Sequence, residues 1–75
     1  MQKVKSNSEL GELIRKERKN QQLTQEQLAA LAGVGVRFVR ELEHGKDSCR
    51  IGLAIQVLHT LGLSIAVYGR GERLS

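Results

Sequence analysis

The stretch LTQEQLAALAGVGVRFVRELEHGK, Leu23 to Lys46, decides the fold. Thr24 and Gln27 form the T-x-x-Q pattern of a helix start, in which each side chain satisfies the other's backbone N–H. Leu28, Leu31 and Ala32 follow at spacings of three and four residues, and Gly33 stops the helix where a left-handed residue is wanted. A second short helix opens at Gly35 or Val36, carries Phe38, Val39 and Leu42, and ends by Gly45. Two short helices joined by so tight a turn must cross closely. Ala29 is the small residue such a crossing needs, and Gly33 tolerates the positive φ of the turn. Val39 and Leu42 then fall back onto the core. Val36, Arg37, Arg40 and Glu41 are left facing outward.

Upstream, Ser6 and Glu9 predict another capping box, and Leu10, Leu13, Ile14 and Glu17 continue at helical spacing, so a helix is expected over residues 7–20. Arg15, Lys16, Arg18 and Lys19 crowd its last turns, where cations suit the helix dipole; as a group they read as a solvated face. Downstream, Lys46 to Arg50 is a polar loop. Leu53, Ala54, Val57, Leu58 and Leu61 form the stripe of a further helix, which Gly62 terminates. Leu63 to Tyr68 then alternates Ile65 and Val67 with smaller residues, the pattern of a strand. A lone strand leaves its backbone groups unpaired. Its partner is either the Gln2–Lys5 stretch or a second copy of itself, and pairing about a two-fold axis closes the edge with the fewest additional parts. The fold expected is all-α, with four to five short helices and one C-terminal strand pairing across a homodimer through Ile65 and Val67. One domain fills 1–75: a core over 8–62, the strand over 63–68 and a polar tail over 69–75.

Length and composition narrow the function. Seventy-five residues make one small domain, which buries only about 60% of its unfolded surface and gains from a second subunit. Twelve Lys and Arg against eight Asp and Glu give a charge of +4, compatible with a polyanionic partner. Phe38 and Tyr68 are the only aromatic residues, which argues against modules that stack single-stranded bases. Cys49 is the single cysteine, so no internal disulfide is possible and a reducing, cytoplasmic setting is expected. No apolar run approaches the roughly 18 residues of a membrane span. His44, His59 and Cys49 are too scattered to predict a metal site, no nucleophile has a visible base, and Gly69-Arg70-Gly71 is too slight for a phosphate loop. The expectation is therefore no enzyme activity, no metal and no cofactor.

With these residues in view, the segment resembles the phage-repressor type of helix-turn-helix domain (Cro/C1-type, XRE). The likeness rests on T-Q-x-x-L-A-x-x-A-G-V from Thr24 to Val34 and L-E-x-G-K from Leu42 to Lys46, and it extends over about residues 8–62. Gly35 departs from the pattern, since the family usually has Ser or Thr there, and a helix cap is lost with it. The resemblance implies that Gln25 grips a phosphate at the start of the second helix, and that Val36, Arg37 and Glu41 read bases in the major groove. Arg40 would reach a base or a phosphate, and Lys46 the DNA backbone. It also implies a partly buried ion pair between Arg18 and Glu43. A narrower likeness lies at the two ends: QKVKS (2–6) and LHTLGLSIAV (58–67) are similar to HipB-type antitoxins, DNA-binding partners of HipA-type kinase toxins. The function implied is a repressor of a palindromic double-stranded operator, acting also as antitoxin and autoregulator. Its kinase partner would bind on the outer faces of the first and fourth helices, which include Glu12, Ile55 and His59, or on the dimer's strand lid. Two alternatives stand beside it: a stand-alone or prophage repressor without a toxin, and a protein-interaction module with little affinity for DNA.

Overall fold

The computed structural model describes residues 3–47, 50–67 and 69. They form four helices: α1 (Asn7–Asn20), α2 (Gln25–Ala32), α3 (Val36–Glu43) and α4 (Ile51–Thr60). The core draws on each of them: Ile14 from α1, Leu28, Ala29 and Ala32 from α2, Val39 and Leu42 from α3, and Ala54, Val57 and Leu58 from α4 with Leu61 just beyond it. α3 packs between α1 and α2, and α4 lies against α2. Phe38, whose side chain the sequence left open between core and surface, packs half-buried against the core.

The helix ends are set by local chemistry. Thr24 and Gln27 close the expected capping box at α2. At α1 the box is only half formed. Ser6 Oγ accepts from the Glu9 N–H, but the Glu9 carboxylate accepts from the Lys5 N–H, one residue upstream of the cap. At their C-termini all four helices finish in the same double hydrogen bond of the Schellman type, in which two successive N–H groups reach back to otherwise orphaned carbonyls. Val34 and Gly33 close α2, Lys46 and Gly45 close α3, and Leu63 and Gly62 close α4, each glycine at positive φ. Leu23 and Gln22 close α1, with Gln22 at φ 60, a conformation that a side chain disfavours.

Two features differ from the sequence reading. α4 starts at Ile51, ahead of the stripe that opens at Leu53. The Ile51 side chain is exposed, so hydrophobic periodicity could not report that first turn. Leu63–Val67 forms no strand in the single chain, and Tyr68 and the tail from Arg70 onward lie outside the described residues. Extended backbone becomes a strand only with a ladder partner, and none is available within these residues.

Candidate nucleic-acid interface

α2 and α3 are held at a fixed angle by the turn between them. Val34 N–H donates to Ala29 O (3.0 Å), which folds the chain over Ala29, itself buried in the crossing. Gly35 has extended backbone at the start of α3 and supplies no side-chain cap, as expected from its lack of a hydroxyl. Burial then sorts the faces of α3. Val39, Leu42 and Glu43 point inward, and Arg37 and Arg40 are exposed. Glu41 and Val36 lie between, with Val36 packed against the edge of the core.

Two polar clusters fix this unit. The first is the pair expected between Arg18 and Glu43. Arg18 Nε donates to Glu43 Oε2 (2.6 Å) and Nη2 to Oε1 (3.1 Å), with each residue only 8% exposed. Arg18 Nη1 donates to Leu23 O (2.8 Å), and Gln25 Nε2 donates to Glu43 Oε1 (3.1 Å). Every buried side-chain polar atom among the described residues is satisfied, which such a low-dielectric site requires. The Gln25 contact was not foreseen. One proton of its amide is committed to Glu43, leaving the other and the α2 N-terminal amides for an anion.

The second cluster lies on the outer face. Lys46 Nζ donates to Glu41 Oε2 (2.9 Å), and Arg37 Nε stands 3.6 Å from the same oxygen. The hydrogen bond from Lys46 outweighs partial burial and, with both cations nearby, holds the Glu41 carboxyl below its ordinary value of 4.5. Arg40 forms no ion pair among the described residues; its carbonyl accepts at α3's end from the His44 backbone N–H and from the His44 ring Nδ1–H.

One constraint that the sequence reading passed over positions α1. A Cβ on Gly11 would lie 2.5 Å from Glu43 O and 2.6 Å from Leu42 O, so α1 crosses the end of α3 with nothing between backbones. Gly45 meets the backbone of Ser8 in the same way at the edge of this crossing. The available signal was Gly11 itself, an isolated glycine inside a helical pattern. Asn7 Nδ2 donates to Asp47 Oδ1 (3.1 Å) and ties the start of α1 to the loop after α3. No helix of the described residues is long and apolar enough to cross a membrane.

Residues 14–68 match a family model, HTH_3, described as helix-turn-helix. Over 71 residues the chain is 48% identical to the uncharacterized HTH-type transcriptional regulator y4mF of Sinorhizobium fredii, spanning 95% of this chain and 93% of that protein. Its shape is similar to chains in two solved structures, a HipB–O4 20-mer complex and a HipA–HipB–O2–O3 complex. Both give a TM-score of 0.83 at 23% identity, over 93% of this chain and 99% of the other. At that identity the likeness shows the fold alone.

Proposed function

The chain belongs to the helix-turn-helix family of transcriptional regulators, and from that premise we propose that it is a homodimeric, cytoplasmic repressor of a palindromic operator that also serves as antitoxin to a HipA-like kinase. The observation that carries DNA binding is the outer face of α3. Arg37 and Arg40 stand exposed on a helix whose opposite face is locked to α1 and α2 by Val39, Leu42 and the Arg18–Glu43 fork. A rigid helix with two outward guanidiniums suits a major groove, where Arg matches O6 and N7 of guanine. In this reading Arg37 reads a base, Val36 touches a thymine methyl, and Arg40 takes a base or phosphate. Gln25 and the α2 N-terminus grip a phosphate, and Lys46 lies near the DNA backbone.

Support for the dimer comes from the chain termini. Val4, Leu10, Leu13, Leu58, Leu63 and Ile65 line an open groove of about 800 Å³, and Ile65 and Val67 are exposed beside it. The stretches 3–5 and 63–67 share this groove without a backbone ladder between them. That supports a second copy as the strand's partner, with residues 63–68 as the proposed dimer joint within a single domain. The toxin partner is supported by the likeness in shape to HipB over nearly the whole chain. Glu12 and His59 are exposed on α1 and α4, and Ile55 on α4 is half-buried; in this reading they form the kinase-facing surface.

The test is a gel shift with the protein's own upstream region, together with co-expression and pull-down of the adjacent gene product. Sequence-specific retardation and co-purification of a kinase-like neighbour are expected. Specific retardation with an unrelated or unbound neighbour leaves a stand-alone repressor, a reading that the regulator name of the 48% identical relative already favours. Absence of retardation at low salt rejects both.

A further inference from the structure

The outer face of α3 carries a carboxylate where a phosphate-seeking surface would gain from having none. Glu41 is the third residue from the end of the α3 Schellman motif, and Lys46 closes that motif with its N–H on Glu41 O (3.1 Å). In such a motif these two positions are side-chain neighbours, commonly through an apolar contact. Here the contact is ionic: Lys46 Nζ lies 2.9 Å from Glu41 Oε2. One turn earlier on the same ridge, Arg37 Nε lies 3.6 Å from that same oxygen. A single carboxylate oxygen thus holds both cations.

We propose that Glu41 reads no base but is a positioning residue, which holds Arg37 and Lys46 in one cluster and suppresses attraction to phosphate regardless of sequence. The assignment rests on the DNA-binding reading above and departs from the base-reading role the family pattern suggested for Glu41. A carboxylate that reads a base must accept from an amino group such as cytosine N4. Oε2 is engaged by both cations, so only Oε1 is left wholly free to accept, on a side chain 31% exposed against 85% for Arg37. Arg37's Nε faces Glu41, which leaves its two Nη groups for a bidentate contact with guanine. The cluster's charge falls from +2 to +1, so affinity for arbitrary duplex drops while the oriented Arg37 keeps its contact with the right base.

The experiment compares wild type and Glu41→Gln on the selected operator and on a scrambled duplex between about 50 and 200 mM salt, a range over which phosphate contacts dominate the change in affinity. Site selection from a random pool is repeated for both proteins. Glu41→Gln should bind scrambled duplex several-fold more tightly at the lower salt, with log K against log salt steeper by roughly one, as for one added phosphate contact. The preferred sequence should stay the same while discrimination narrows. A merely structural role would leave the salt slope untouched, and a melting curve close to wild type shows that the fold survives. A changed preference at one base position would make Glu41 a reader and overturn the proposal. An unaltered slope and scrambled-duplex affinity would overturn it as well. If wild type itself selects no sequence, the DNA reading fails first and visibly, and the role of Glu41 falls with it.

Discussion

Arg18 and Glu43 meet as a fork across 25 residues of sequence, two nitrogens on two oxygens, at a point where α1, the start of α2 and the end of α3 converge. Gln25 and the Leu23 carbonyl complete the network, so loss of one member strands charge in the interior. Arg18→Met or Glu43→Leu alone should each destabilise the protein by about 3–5 kcal/mol. The double variant should recover part of that loss, because two apolar side chains replace two buried charges. Urea melts in a double-mutant cycle measure the coupling. A coupling near zero would mean that the fork contributes nothing beyond its separate side chains.

Gly11 has no room for a methyl group. Its Cβ would overlap two carbonyl oxygens of α3, and backbone cannot rotate away as a side chain can. Gly11→Ala should therefore destabilise by about 1–3 kcal/mol, although alanine is the better helix former by about 1 kcal/mol. Helix propensity and packing give opposite signs here, and chemical denaturation decides between them.

Gln22 presents the reverse case. It ends α1 at φ 60, where L-residues are strained by roughly 1–2 kcal/mol, while glycines hold the equivalent place after α2, α3 and α4. Gln22→Gly should stabilise the fold by about 0.5–1 kcal/mol, once the greater freedom of glycine in the unfolded chain is subtracted. A lower melting temperature would show that the Gln22 side chain contributes more than its strain costs.

How much of this was legible in the sequence follows from the range of each interaction. α1 was readable at its full span, and the α2–turn–α3 unit nearly so, because capping boxes and terminal glycines act within five or six residues. The outward placement of Arg37 and Arg40 followed from helical periodicity alone. Gln25's bond to Glu43 spans 18 residues and depends on the helix crossing, so no local pattern encodes it. Gly11 went unread because its meaning lies in α3, a distant partner. Residues 63–67 carry strand chemistry but no ladder, since what completes a strand is a second chain segment.

Glu41 gives a pH dependence with a definite sign. Its folded carboxyl titrates below 4.5, held down first by the hydrogen bond from Lys46. The stabilisation is thus fully present above the unfolded value and is lost as pH falls through the lower folded value. Side-chain carboxyl shifts followed by NMR between about pH 2 and 7 should place the Glu41 midpoint below its ordinary value of 4.5. Lys46→Ala should raise it towards 4.5. A midpoint unmoved by that substitution would show that the Lys46 contact does not persist in solution.

The proposed dimer joint can be tested without touching the helices. Proline at position 67 removes a backbone donor that a ladder would use, and Val67 is 89% exposed in the single chain, so the substitution disturbs no core contact. Val67→Pro should leave the four-helix core folded, with far-ultraviolet circular dichroism like wild type. In sedimentation equilibrium it should shift the protein towards monomer. Operator affinity should fall with it, since two recognition helices on one dimer bind the second half-site at high effective concentration and separate monomers do not. Loss of dimer and loss of affinity must move together for residues 63–68 to be the joint. A variant that stays dimeric and binds normally would place the two-fold contact elsewhere, with the apolar groove beside Leu10 and Leu58 the next surface to probe.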